Sequence, residues 1–290
     1  MNTKIDEIKE LTLSLSKKNG IQDTEIPSLK LIQATSLERT HQVYKPSLCV
    51  IVQGTKDVIL GETIYSYSPG ECIVVSVDLP VTGQVTEASA RKPYLCLMLE
   101  LDPAVVFDVV NSVHSFPKPL SRKKAIYVEK VGSDLFDAIL RLLRCMKNPS
   151  SISVLSPMII REIIFHMLST KYGDIIKELG AVGSQTQRIR AIDILKTKYN
   201  QTISIESLAK EVGMSPAAFH THFKDVTTLS PLQYQKQIRL QEARRLLLAS
   251  RADAATLSFE IGYDSPSQFS REYSRMFGLP PKADVKRLRR

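Results

Sequence analysis

Two stretches near the C-terminal end of the chain repeat one another at a nearly fixed offset. Leu208, Glu211, Val212 and Gly213 match Leu257, Glu260, Ile261 and Gly262 at a distance of 49 residues. Ser215, Pro216, Phe219, Phe223, Leu229 and Pro231 match Ser265, Pro266, Phe269, Tyr273, Leu279 and Pro281 at 50. The second copy has one extra residue in its turn. Similarity at a fixed offset marks a duplicated supersecondary unit, so this region must contain one local fold twice.

The physics of the unit is readable. One helix ends at Gly213 or Gly262, where a left-handed residue costs little. The next starts at once, with Ser215 or Ser265 as N-cap and Pro216 or Pro266 at the first helical position. Two helices joined by so short a turn make a helix-turn-helix. On the second helix Phe219 and Phe223 lie four apart and share a face. Phe269, Tyr273 and Phe277 do the same, and both aromatic faces are expected in the core. The opposite faces carry Ala217, His220, Thr221 and Lys224 in the first unit, and Ser267, Gln268, Arg271 and Arg275 in the second. Small, polar or basic side chains at the start of such a helix suit the DNA major groove. Residues 231–249 read as one connecting helix. Its 19 residues span about 28 Å, enough to hold two reading helices about one DNA turn apart.

Charge points the same way. The net charge of the 290 residues is +9. Residues 184–290 hold 18 Lys+Arg against 10 Asp+Glu, while residues 1–183 are nearly balanced at 21 against 20. A basic segment joined to a neutral one suits a polyanion such as nucleic acid; a solvated basic surface is the bland alternative.

The length suggests about two domains. Residues 3–18 read as an amphipathic helix. From 47 to 101 the texture changes to short β-rich runs at 48–52, 57–60, 63–67, 73–77, 81–86 and 94–101, broken by Gln53-Gly54, Gly61-Glu62, Ser68-Pro69-Gly70, Leu79-Pro80 and Arg91-Lys92-Pro93. Such a pattern suggests a small barrel or jelly roll. Helical periodicity returns after Asp102-Pro103, after Ser133 and over 154–170, with apolar stripes that complete the core or pack on a second chain. Gly173, Gly180, Gly183 and Ser184 to Gln187 read as a linker. No secretory leader is apparent, and no stretch approaches the ~18 apolar residues of a membrane span. The spacing of Cys49, Cys72, Cys96 and Cys145 contains no metal knuckle and no redox pair, so a reducing cytoplasm is the simpler setting.

The C-terminal segment resembles the tandem helix-turn-helix domain of the AraC/XylS transcription regulators. The resemblance is carried over about 100 residues by both glycine turns, both aromatic pairs, Arg239-Leu240-x-x-Ala243-Arg244-x-Leu246-Leu247 and Phe277-Gly278-x-Pro280-Pro281. Residues 40–101, with Pro46-Ser47-Leu48, Gln53-Gly54-x-Lys56 and Pro93-Tyr94-Leu95, resemble one of the family's cupin-like sensor domains. The implied fold is α+β: an N-terminal cupin-like β-barrel with a helical connector, then an all-α tandem helix-turn-helix domain. The expected boundaries are 1–28 for the lead-in helix, 29–101 for the barrel, 102–183 for the connector with possible dimerisation, and 184–290 for the DNA-binding domain.

The resemblance implies a cytoplasmic, nucleoid-associated regulator that binds double-stranded promoter DNA, answers to a small organic effector in the barrel, contacts RNA polymerase and forms a homodimer. It implies DNA-reading positions at Ala217, His220, Thr221, Ser267, Gln268 and Arg271. Ala217 is too small for a polar base contact and suits a thymine methyl. Gln268, three residues after Ser265, is also placed for a capping box. His222 sits nearer the core face, and Lys224 and Arg275 extend the basic edges. The strand region 42–101 holds no histidine, which argues against a metal-dependent cupin enzyme and leaves no cofactor or metal expected. Cys49, Cys72 and Cys96 fall in expected strands and are candidates for the effector site, with inert packing as the alternative. An effector-independent DNA-binding protein and a cupin enzyme with an accessory basic domain are the competing classes.

Overall fold

A computed structural model describes residues 2–113, 116, 124–170, 173–180, 186–249 and 253–289. The chain divides into two compact units, residues 1–40 with 44–185, and residues 186–290 with 41–43.

The N-terminal unit begins with α1 (Asn2–Leu15) and continues through nine strands. These are β1 (Gly20–Asp23), β2 (Leu29–Ala34), β3 (Arg39–Tyr44), β4 (Ser47–Gln53), β5 (Thr55–Leu60), β6 (Thr63–Tyr67), β7 (Glu71–Val75), β8 (Leu79–Glu87) and β9 (Tyr94–Glu100). Then come α2 (Pro103–Asn111), β10 (Ile126–Lys130), α3 (Ser133–Cys145), α4 (Pro149–Leu168) and α5 (Gly173–Gly180). The strands form a six-stranded sheet, β1-β2-β9-β4-β7-β10, and a four-stranded sheet, β3-β8-β5-β6. All registered pairs are antiparallel.

The six-stranded sheet is covered on one face by helices. Leu48, Val50 and Val52 of β4, Cys72 and Val74 of β7, and Leu95, Leu97 and Leu99 of β9 join one core with Ile8 of α1, Phe136 and Ile139 of α3, and Ile163 and Ile164 of α4. The alternate residues Cys49, Ile51, Ile73, Val75, Tyr94 and Cys96 are buried as well. By the period of two they point to the other face, the interior of the strand layer. Strands buried on both faces read as continuous apolar runs.

Three expectations need correction. The strands are not confined to 29–101: β1 lies in the expected lead-in and β10 in the expected connector, where they form the two edges of the larger sheet. Both are short, and β1 buries only Gln22, so neither carries a strong alternating signal. The expected linker begins with helix α5. Gly173 and Gly180 stand at its two ends, where glycine is cheap, and Gly180 does more than break helices. A Cβ there would come within 2.6 Å of the Phe107 backbone nitrogen, so the glycine lets α5 lie against α2. Gly183, Ser184 and Gln185 lie outside the described residues. Finally, α4 is long and apolar enough to cross a membrane. Its Ser and Pro residues broke the apolar run in the sequence. Its Ile159, Ile163, Ile164, Met167 and Leu168 are buried in the core, and it pairs with α3 through the ion pair of Arg141 and Glu162.

The C-terminal unit is helical throughout its described segment from 186: α6 (Thr186–Thr197), α7 (Ile205–Glu211), α8 (Pro216–Thr227), α9 (Pro231–Ala249), α10 (Ala254–Glu260), α11 (Pro266–Phe277) and α12 (Pro281–Leu288). α7–α8 and α10–α11 are the two copies of the repeat, and α9 joins them.

Candidate nucleic-acid interface and sensor interior

The two turns share one hydrogen-bond scheme. Met214 N–H donates to the Ala209 carbonyl and Tyr263 N–H to the Ser258 carbonyl, both at 2.9 Å. Gly213 N–H reaches the Lys210 carbonyl at 3.1 Å and Gly262 N–H the Phe259 carbonyl at 3.0 Å. Closure of this kind needs a left-handed residue, and Gly213 and Gly262 supply it with φ of 69° and 87°. Glycine at 262 also answers crowding, since a Cβ would run into the Asn200 carbonyl. Ser215 Oγ then accepts from Ala218 N–H at 3.3 Å, and Ser265 Oγ from Gln268 N–H at 3.2 Å. Each serine thus caps the helix that follows, with proline at its first position.

The aromatic faces fix the rotation of both helices. Phe219 and Phe223 are buried with ring centroids 5.6 Å apart, and Phe223 meets Tyr234 of α9 edge-on at 5.5 Å. In the second unit Phe269 meets Tyr273 edge-on at 5.5 Å, and the tilted rings of Tyr273 and Phe277 lie 4.4 Å apart. With these faces held inward, Ala217, His220, Thr221 and Lys224 of α8 are exposed, as are Ser267, Arg271 and Arg275 of α11. Gln268 is half-buried beside its cap, and His222 is half-buried on the flank of α8. Each unit therefore gathers its small, polar and basic positions on one solvent face.

Connections beneath that face rest on α9. Arg239 donates to the carbonyls of Tyr199, Gln201 and Gly262, the last two at 2.9 Å each. One guanidinium thereby ties the end of α6 to the second turn. Arg244 grips the buried Asp284 of α12 at 2.8 and 3.1 Å. Tyr273 hydroxyl and Arg287 donate to the same carboxylate at 3.0 and 2.9 Å. Burial alone would raise the Asp284 pKa, but the donors of Arg244, Tyr273 and Arg287 hold it below the ordinary carboxylate range. Arg239 and Arg244 were legible as motif positions, but their carbonyl and carboxylate partners are set by tertiary packing.

In the N-terminal unit the three candidate cysteines separate. Cys49 and Cys96 face the interior of the strand layer on neighbouring strands, Cys49 opposite Met98 and Cys96 opposite Ile51. Cys72 does not join them. It belongs to the opposite, helix-covered face of the six-stranded sheet, because β7 alternates Cys72 and Val74 outward with Ile73 and Val75 inward. There it lines a cavity of about 230 Å³ with Tyr127, Glu129, Ser133 and His166. Burial and the nearby Glu129 carboxylate push its thiol up to about 12, far from a thiolate at neutral pH. Beside Cys49 and Cys96 stand the polar groups of Lys56, Tyr44, Tyr67 and Tyr94, all buried; Lys56 and Tyr94 were legible as motif positions but not as members of one cluster. The signal was present, since Lys56 alternates with Val58 and Leu60 on one face of β5.

Residues 25–175 match the family model of the AraC-type transcriptional regulator N-terminus, and residues 208–287 match a helix-turn-helix domain model. The virulence regulon transcriptional activator VirF of Yersinia enterocolitica is 25% identical over 258 residues, covering 87% of this chain and 93% of that protein. The thermoregulatory protein LcrF of Yersinia pestis is 25% identical over 58% of this chain and 60% of its own length. The crystal structure of ToxT from Vibrio cholerae O395 superposes with a TM-score of 0.57 at 7% identity, over 89% of this chain and 97% of that one. That likeness shows the fold. The two family matches follow each other along one chain, the AraC-type N-terminal domain first and the helix-turn-helix second, and the chain belongs to the AraC family of DNA-binding transcriptional regulators.

Proposed function

We propose that the chain reads promoter DNA with α8 and α11. One observation carries the reading: both duplicated helices bury an aromatic face and expose their small, polar and basic positions on the other. In this reading Arg271, His220, Thr221, Ser267 and Gln268 reach base edges or phosphates, Ala217 meets a thymine methyl, and Lys224 and Arg275 contact the backbone. The N-terminal unit is the sensor for a small organic effector, with Cys49 and Cys96 on its interior face. Crystal structures of ToxT bound to an unsaturated fatty acid, and to a methylnaphthalenyl butenoic acid, support small-molecule binding by a protein with this fold. The chain works as a regulator in the cytoplasm, at the nucleoid and with RNA polymerase, and not as an enzyme or a membrane protein.

Dimerisation through α4 belongs to the same reading. Val154, Leu155, Met158 and Phe165 are exposed by 39–63% on the side of α4 that the core leaves open. A second copy of the same helix would cover them.

The test is binding of the purified full chain to its own upstream DNA, with competitor and at near-physiological salt. Sequence-selective binding weakened by Arg271→Ala and by His220→Ala is the expected result. Binding that ignores sequence and disappears with modest salt would reduce the interface to a basic surface.

A further inference from the structure

Lys56 is a lysine in the wrong place for an ordinary one. Its side chain is 5% exposed, on an inward position of β5. Its ammonium lies 5.6 Å from the Tyr44 ring centroid and 5.7 Å from that of Tyr94. Among the described residues, none of the ion pairs includes Lys56, and its polar neighbours are the Tyr44 hydroxyl and the thiols of Cys49 and Cys96. The chain makes room for it. Gly83 sits mid-strand in β8, opposite Val58. A Cβ there would come within 2.8 Å of the Lys56 Cε and 3.3 Å of its Nζ. Glycine inside a strand weakens the strand, and here it leaves the space through which the lysine runs.

An ammonium removed from water with no carboxylate partner costs several kcal/mol. It carries three donors, and the phenols and thiols around it offer only neutral acceptors in return. Among the described residues the fully buried Tyr94 hydroxyl has no oxygen or nitrogen partner, and only the weak Cys96 thiol lies beside it. Tyr67 closes the cluster and is equally buried. Around these groups stand Ile51, Val58, Leu60, Ile73, Val75, Val81 and Val85, all buried and apolar. A positive charge and an idle hydroxyl donor inside an apolar shell lack one thing, an anionic acceptor on an apolar body.

We infer that the sensor interior is a receptor for a small organic carboxylate, with Lys56 as its counter-ion and Tyr94 as a hydrogen-bond donor to it. The inference rests on the reading of the N-terminal unit as an effector sensor and adds the chemical class of the effector. Binding would neutralise the buried charge, satisfy Tyr94 and leave the ligand's carbon skeleton against the aliphatic side chains.

The experiment is a calorimetric and thermal-shift comparison on the full chain with matched probes. These are butanoate and benzoate, the corresponding alcohols, and the corresponding amines. The carboxylates are expected to bind saturably and raise the melting temperature, with the alcohols and amines at least about tenfold weaker, as the loss of a charge-assisted contact implies. Lys56→Met keeps the chain length and removes the charge; it is expected to fold, checked by circular dichroism, and to lose the carboxylate response. Tyr94→Phe keeps the ring and is expected to weaken carboxylate binding about fivefold or more, so it reports even where Lys56→Met does not fold. Unchanged carboxylate affinity in both variants, or alcohols and amines binding as well as carboxylates, would overturn the inference and leave the sensor reading standing. No binding by any of the three classes would overturn both.

Discussion

Arg244 of the connecting helix and Asp284 of the last helix form a two-pronged ion pair, 2.8 and 3.1 Å, with the carboxylate side chain wholly shielded from solvent. The Arg244 guanidinium also lies over the Phe277 ring, 4.6 Å from its centroid. The pair thus anchors α12 against α9 and, through Phe277 and the Tyr273 hydroxyl, holds the C-terminal end of α11 with them. Removing one partner of a buried pair strands the other, at a cost of about 3–5 kcal/mol. Arg244→Met leaves Asp284 only Tyr273 and Arg287, and is therefore expected to lower the unfolding free energy of the C-terminal unit, read from denaturant titration, by up to that amount. A change below about 1 kcal/mol would mean that water replaces the guanidinium.

The same pair sets an acid limit. The Asp284 pKa is depressed in the folded chain, against about 4 when unfolded. Its contribution is therefore complete above pH ~4 and is lost as the pH falls through the folded value. Wild type is expected to lose stability below pH 4 more steeply than Asp284→Asn, which starts less stable. Parallel acid-unfolding curves for the two proteins would contradict this.

Arg271→Ala is expected to cost about 1–3 kcal/mol of specific DNA binding, roughly a tenfold to hundredfold rise in Kd, and to relax preference at one base position. Lys224→Ala and Arg275→Ala should weaken binding evenly across sequences and reduce the salt slope by about one each. Titrations at three salt concentrations separate the two behaviours.

Thr228 is a weak point left by the duplication. It caps α8 with φ of 60°, the place that Gly278 takes with φ of 79° at the end of α11. A β-branched residue pays for the left-handed region where glycine does not, by about 1–2 kcal/mol. Thr228→Gly is expected to raise thermal stability by a few degrees, and Gly278→Thr to lower it. Opposite signs in differential scanning would refute the repeat-based argument.

Much of this molecule is legible in its residues. The glycine turns, serine caps and first-turn prolines mark four helix boundaries in the basic third, and Pro231 marks the start of α9. Strands β4 to β9 stand out, and Gly or Pro separates all of them but β7 and β8: the expected break at Leu79-Pro80 lies inside β8, and Ser76-Val77-Asp78 makes the turn. β1, β2, β3 and β10 do not, since three of the four carry mixed polar sequence whose burial depends on neighbours far along the chain. Cys72 illustrates the limit well. Its strand was legible, but its face was not, because β7 is apolar on both sides and alternation then says nothing about direction. Lys56 shows the converse: the pattern put it inward, while the glycine that accommodates it lies 27 residues away on β8.

All four cysteines of the chain are buried and unbridged. A thiol reagent can therefore reach them only when the surrounding structure opens, and each position becomes a natural clock for a different layer. Cys49 and Cys96 time the opening of the strand interior, Cys72 the parting of sheet from helices, and Cys145 the fraying of the end of α3. The wild-type chain thus reports its own local breathing, site by site and without an added probe, through the rate at which each sulfur becomes labelled.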